Sequence, residues 1–397
     1  MEHSTALRGH DHDHCTHKTI AITSCDSWFG YYLAEYLAGK LKHKHKGKDI
    51  QLLCLAVNTD RLRHLKHHKN VQVRKIEYTE ESLADAFRKV DCTILIPELD
   101  EMRVEEAKKV IDAMRQHDVK CSMLLSSLGA DTKDLPELYK FRDIEKELKD
   151  KVPCHLVLRS AFVDQLFFLW RTVIQQKGEL PMSVDKDSAM SPLDMRDIFC
   201  AIETIVAAFG NGHHHHHHPH HHHHHPHHHH HHSHHRHHHH HHHHDVDGDH
   251  HGCDPATCFG KHTGMTYSLT GPEAVTAEKI AQTLGEVIDS DIQFKSVSRD
   301  EMKQYLESLR KQQAEGSQPA VMFDVPASAE SLEGRQEDHT GHLSDTMIAV
   351  VLDELELIKK GEANVVTDDL MTITGHHGRT VRGFFEEEKK CFQRQLL

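Results

Sequence analysis

Three groups of residues in this 397-residue chain have the types and spacing to do chemistry. The first is Thr23-Ser24-Cys25-Asp26-Ser27-Trp28-Phe29-Gly30, between an apolar run and a helical pattern. A dinucleotide-binding turn spaced GxxGxxG uses its glycines for a tight turn, for close approach of the pyrophosphate and for helix–strand packing. Here those places hold Ser24, Ser27 and Gly30, so only the packing glycine remains. A helix N-terminus attracts an anion and two serine hydroxyls can donate to it, whereas Asp26 opposes it. A βα turn that holds no ligand fits the same residues equally well.

The second group could move protons. A Tyr-x-x-x-Lys helix lets the lysine lower a phenol pKa so that the tyrosine can pass a proton to a carbonyl. That spacing occurs only at Tyr36–Lys40, on the first helix, and reads there as chance. Tyr139 and Lys140 on a later helix are the remaining candidates, against the plainer reading of Tyr139 as a packing residue. Ser126 and Ser127 close the strand before that helix, where they could also serve as a cap or turn.

The third group could hold metal. Residues 213–244 contain 28 histidines, broken by Pro219, Pro226, Ser233 and Arg236. Imidazole binds Zn, Ni and Cu and titrates near neutrality. The tract from His213 to His244 therefore binds divalent metal weakly and gains charge on acidification. His250, His251, Cys253, Cys258 and His262 follow it within a short span and could close on one ion, although the spacing is not a standard zinc pattern. Repeat expansion in a tolerated surface loop accounts for the same tract without a function.

The elements that must position these residues alternate. Apolar runs at 18–24, 50–57, 71–76, 92–96, 120–126 and 155–159 read as strands. Helical patterns lie between them at 30–39, 59–68, 80–88, 103–117 and 136–149. Strands apolar throughout and separated by amphipathic helices predict a parallel sheet covered on both faces. The fold class is therefore α/β: a doubly wound parallel Rossmann sheet, a smaller C-terminal α+β lobe and a disordered His-rich insert. Residues 1–17 read as a disordered His-rich arm and 18–160 as the Rossmann domain. Residues 161–210 and 264–397 complete the Rossmann domain and form the lobe, while 211–263 are the insert. Helices are expected at 161–175, 194–208, 272–288, 299–313 and 344–361, with a polar loop at 314–343.

Composition narrows the classes. With 37% hydrophobic residues the chain can build a core. No apolar run of 18 residues predicts a membrane helix, and residues 1–15 lack the apolar stretch of a secretory signal. A formal charge of −14 argues against direct nucleic-acid binding. Ten scattered cysteines do not form a disulfide framework and point to a reducing compartment, cytoplasm or nucleus.

Several segments together resemble the NmrA-like family, atypical relatives of the short-chain dehydrogenases/reductases. Thr23–Gly30 stands where that family has TGATGxxG, and 155–162 (HLVLRSAF) where it has a TILRPGxF-like segment. Residues 120–131, 191–198, 267–274 and 366–375, followed by Arg379-Thr380, are similar to further family segments in the same order. The resemblance implies a Rossmann domain with NAD or NADP lying across the sheet edge. It implies cofactor contacts at Thr23, Ser24, Asp26, Ser27, Trp28, Phe29, Gly30, Asn58, Arg61, Glu77, Pro97 and Ser126. It also implies one of two roles: a redox-sensing regulator that binds a protein partner, or an NAD(P)H-dependent reductase of quinones or similar small molecules. A homodimer is compatible with either.

The departures weigh between these roles. Val57 stands where NADP-preferring members carry arginine, which leaves Arg61 as the cation there. Glu77 replaces an aspartate, Ser160-Ala161 replaces Pro-Gly, and Phe141 falls where reductases of the family keep a lysine. The leading expectation is a dinucleotide-binding regulatory relative with little or no turnover. The alternatives are the reductase and a metal-binding protein that uses the His/Cys insert.

Overall fold

The computed structural model describes residues 18–41, 50–209, 259–314 and 343–393. The expected N-terminal arm, most of the His-rich insert and nearly all of the polar loop lie outside the described residues. The first half is built from β1 (Lys18–Ile22), α1 (Trp28–Lys40), β2 (Ile50–Ala56), β3 (Val71–Lys75), α2 (Glu80–Phe87), β4 (Cys92–Leu95), α3 (Arg103–Gln116), β5 (Cys121–Ser127), α4 (Pro136–Lys151) and β6 (Cys154–Ser160). Next come α5 (Arg171–Lys177), β7 (Glu179–Met182), β8 (Ala189–Met190), α6 (Met195–Phe209), β9 (Thr266–Leu269), β10 (Val275–Thr276), α7 (Ala277–Ile288), β11 (Gln293–Ser296) and α8 (Arg299–Ala314). The chain closes with α9 (Asp345–Lys359), α10 (Asp369–Thr374), α11 (Val381–Glu387) and α12 (Lys389–Phe392).

Seven strands form one parallel sheet in the order β3-β2-β1-β4-β5-β6-β9. Successive strand residues feed opposite faces. Ile20, Ile22, Leu52, Cys54 and Ile94 join Leu33 and Leu37 of α1 and Ile198 and Ile202 of α6 on one side. Ala21, Leu53, Leu55, Leu95 and Leu124 meet Phe87, Val110 and Ile144 of α2, α3 and α4 on the other. Both faces are thereby closed, as the unbroken apolar runs require.

β9 is an edge strand, and its free side is covered by polar side chains. Asp369 Oδ2 accepts from Ser268 N at 2.7 Å, and the Thr367 hydroxyl donates to the Ser268 carbonyl. This blunts an edge that could otherwise pair with another chain. The smaller lobe holds two two-stranded sheets, β7 with β11 and β8 with β10. Phe168 stacks on Phe392 with centroids 5.4 Å apart, and Phe167 meets Phe385 at the same distance, which docks the C-terminal helices.

Three expected boundaries move. Residues 60–67 form 3-10 turns, not an α-helix, and only Leu62 and Leu65 there are buried. Their spacing of three suits three residues per turn. The expected helix at 161–175 is a 3-10 segment over 164–170 followed by α5. All of 164–170 is buried, so no polar face marked its period. Phe259, which lies before the expected boundary at 264, is buried, and its ring lies 6.3 Å from that of Phe209.

Candidate functional site

The strand order reverses between β1 and β4, and in an open α/β sheet ligands lie at that point, beyond the carboxyl ends of the strands. The two strand ends are stitched together there. The Thr23 and Ser24 hydroxyls donate to the Ile96 carbonyl at 3.0 and 2.7 Å, and Ile96 N donates to Thr23 Oγ1 at 2.8 Å. Ser24 has φ +52°, the left-handed conformation that favours glycine. Its hydroxyl bond helps to hold a serine in the glycine shape. A Cβ on Gly30 would lie 2.1 Å from the Ser24 carbonyl oxygen, so the packing glycine is a steric requirement of this turn. Ser27 caps α1: its Oγ accepts from Gly30 N at 3.1 Å and donates to the Ser24 carbonyl at 2.7 Å. Phe29 packs into the core against Phe199, while Trp28 is half-buried at the turn.

Next to this turn lies the end of β2. Asp26 Oδ2 accepts from Asn58 N at 2.7 Å, and Asn58 turns its own side chain to Asp60 N at 2.9 Å. Arg61 lies over the Tyr31 ring at 5.5 Å and donates from Nη1 to the Asp26 carbonyl at 3.4 Å. It is the cation closest in sequence to the missing arginine, and it reaches the turn. Glu77 is exposed and Pro97 is buried.

Two residues absent from the sequence-based set complete this wall. Glu98 follows the Ile96-Pro97 end of β4, and the Tyr78 hydroxyl donates to its Oε1 at 3.5 Å. Burial raises Glu98 to about 7, with repulsion from Asp26, Asp100 and Glu106 adding to the shift and the Ser24 hydroxyl opposing it. Burial also raises Asp26, against the amides of Asn58, Asp26 and Val57 and the charge of Arg61. Burial, Glu98 and Glu106 push the Tyr78 phenol up. The signal in the sequence was only an acidic run, Glu98-Leu99-Asp100-Glu101, starting where a strand ends.

At the end of β5 the two serines part. Ser126 donates to Glu145 Oε1 at 2.7 Å, and Arg159 grips the same carboxylate through two bonds of 2.8 Å. Burial alone would raise Glu145, but Arg159 and Ser126 hold it below the usual carboxylate range. Ser126 thus serves a buried ion pair, which leaves Ser127 for the crevice. Glu354 of α9 faces Ser127: burial raises it to about 7, the Ser127 hydroxyl opposes that and Asp353 adds to it. α9 is held over the strand ends at both of its own ends. Ser344 Oγ donates to the Leu99 carbonyl at 2.9 Å, and Leu357 comes within 3.2 Å of a Cβ position at Gly129.

The structure does not pair Tyr139 with Lys140. The Lys140 ammonium is bound to Glu137 at 2.8 and 3.0 Å. Phe141, in the place of the family lysine, lies under the guanidinium of Arg103 at 4.8 Å. Tyr36 donates to Glu203 at 2.7 Å, a contact between α1 and α6 with no part in the crevice.

Of the metal candidates only His262 is described. It is buried, and its Nδ1 lies 2.8 Å from the Tyr267 hydroxyl. Burial lowers its pKa, with Lys261 adding to the shift. His250, His251, Cys253, Cys258 and the histidine tract lie outside the described residues. Among the described residues no group of three or more His, Cys, Asp or Glu could hold a metal, and no helix is long and apolar enough to cross a membrane.

Residues 36–164 match the NAD(P)H-binding family. No curated protein sequence matches the chain. Among solved structures, the chain is similar to an NADPH-dependent quinone oxidoreductase from Escherichia coli complexed with NADPH. The two share 17% identity over 93% of this chain and 99% of that one, with a TM-score of 0.62. It is similar to the triphenylmethane reductase of Citrobacter sp. complexed with NADP(H), at 17% identity, 94% and 99% coverage and a TM-score of 0.62. It is also similar to NmrA, a negative transcriptional regulator, in complex with NADP, at 13% identity, 89% and 99% coverage and a TM-score of 0.51. At these identities the structures establish a shared fold. The family match and that fold agree with the NmrA-like resemblance of the sequence.

Proposed function

We propose that the chain binds a nicotinamide dinucleotide across the β1–β4 crevice and acts as a redox-responsive regulatory protein with little or no turnover. The observation that carries the binding is the turn: Ser24 takes the glycine conformation and Gly30 has no room for a side chain. The backbone amides at the α1 N-terminus would hold the pyrophosphate and Arg61 would lie beside the ribose; the Ser24 and Ser27 hydroxyls, expected from the sequence to donate to it, donate instead to the Ile96 and Ser24 carbonyls. When bound, the group supplies hydride chemistry. The lack of turnover is supported by Lys140, bound to Glu137, and by Phe141 in the lysine position. Titration of the protein into NADH or NADPH, followed by fluorescence and then by absorbance with added quinones, tests this. Binding without cofactor oxidation is the expected result.

A second reading, a reductase of quinones or similar acceptors, is favoured by one observation. Glu354 carries a carboxyl near neutrality beside Ser127, and such a group can act as a general acid at physiological pH. Sustained NAD(P)H oxidation that falls at least a hundredfold in Glu354→Gln would favour that reading over the first.

A further inference from the structure

The turn has the shape for a pyrophosphate and the wrong charge for one. Asp26 lies within it, and Glu98 flanks it from the end of β4. We propose that Glu98 is a cofactor-binding residue that works as a neutral carboxylic acid, donating a hydrogen bond to a phosphate oxygen, so that each dinucleotide bound brings one proton with it. This rests on the dinucleotide reading above and adds to it a dependence on pH.

The position of Glu98 is set by the same bonds that shape the turn. Ile96, two residues earlier, receives both the Thr23 and the Ser24 hydroxyls. The Glu98 carboxyl faces Tyr78 from the β3–α2 connection, Ser24 and Asp26 from the β1–α1 turn, Asp100 from its own loop and Glu106 from α3. None of these groups is a cation. Arg61 acts on Asp26, and Lys109 on Glu106. Burial raises Asp26 too, but the Asn58 amide and Arg61 oppose it, whereas among the described residues the Glu98 carboxyl meets the Tyr78 and Ser24 hydroxyls and no cation. Of the two carboxyls, Glu98 is the one that yields when a further anion enters. Burial already holds it at about 7, and a phosphate charge moves it higher.

The sign follows from linkage. Below about 7 Glu98 is already neutral, so affinity is flat with pH. Above that value binding must take up a proton, and affinity falls about tenfold per pH unit. A protonated acid gives the phosphate a donor, a stronger interaction than the removal of repulsion alone.

Calorimetric titration of NADH and NADPH into the full chain at pH 6, 7, 8 and 9, each in two buffers of different ionisation enthalpy, tests this. Expected are uptake of close to one proton per site at pH 8, almost none at pH 6, and affinity falling about fiftyfold from pH 7 to 9. In Glu98→Gln, which keeps a donor without a charge, uptake disappears and affinity at pH 8 rises about tenfold. Glu98→Ala binds several-fold more weakly than Glu98→Gln at pH 6. Binding with no uptake, uptake retained in Glu98→Gln, or equal affinity of the two variants at pH 6 each overturns the role of Glu98 and leaves the dinucleotide reading standing. If no dinucleotide binds to any of the three proteins at any pH, both fail together.

Discussion

Gly30 and Ser24 hold the turn by contact at a single point, and the smallest added group tests it. A methyl at residue 30 would sit 2.1 Å from the Ser24 carbonyl oxygen, so Gly30→Ala is expected to destabilise the fold by about 3 kcal/mol in urea denaturation. A change below 0.5 kcal/mol would show that the turn is not built this way. Glu354 gives a second test at this scale. The fold holds its proton more tightly than the unfolded chain does, at about 7 against an ordinary value near 4.3. Its contribution to stability is therefore complete below about pH 4.3 and is lost as pH rises through 7. Glu354→Gln should raise Tm relative to the parent at pH 8 and much less at pH 4.5; a difference constant with pH would contradict the burial. The candidate turn between β1 and α1 could be picked out in the sequence because its residues are contiguous. Tyr78, Glu98 and Glu354 could not, because they arrive from three distant segments. A lone carboxylate among 61 acidic residues carries no spacing signal. The bond of Ser126 to Glu145 was equally hidden, since it joins residues 19 apart in the chain.

A chain of polar contacts joins α3, α4, α9 and α8. Arg103 on α3 is fully enclosed and pairs with Glu137 of α4 at 2.8 Å. Glu137 N in turn donates to Asp353 of α9 at 2.9 Å, and Arg299 of α8 reaches the same carboxylate at 2.7 Å. Burial lowers the Arg103 pKa, while Glu137 and Asp100 oppose that shift. Glu137→Ala leaves the enclosed guanidinium without its carboxylate and should destabilise by roughly 3–5 kcal/mol. A loss under 1 kcal/mol would mean that solvent reaches Arg103. The alternation of strands and helices was legible because buried parallel strands read as apolar runs. The 3-10 segments were not: an apolar spacing of three fits both helix types, and a wholly buried segment has no polar face to mark its turns. The role of β9 was also hidden, since it pairs with β6 across the interval from residue 160 to 266.

At the scale of the whole molecule, the described residues on either side of the histidine tract come together in the core. The flanks of the insert meet at Phe209 and Phe259, with ring centroids 6.3 Å apart, and Lys18 lies over Phe209 at 5.7 Å. Both flanks are thus fixed by the folded core. Deletion of residues 213–244 shortens the stretch of chain between Phe209 and Phe259 about threefold, which changes the entropy of bringing those two ends together by about 1 kcal/mol at most. Tm is therefore expected to hold or rise slightly, and dinucleotide affinity to stay the same. A fall of more than 10 °C would show that the tract supports the fold. The central claim is that this Rossmann turn still binds a dinucleotide although two of its three glycine places hold serine. Calorimetric titration of NAD, NADH, NADP and NADPH into metal-stripped protein at pH 6.5 tests it most directly. The account predicts one site per chain with micromolar affinity for at least one of the four. No binding of any of them at millimolar concentration would contradict it.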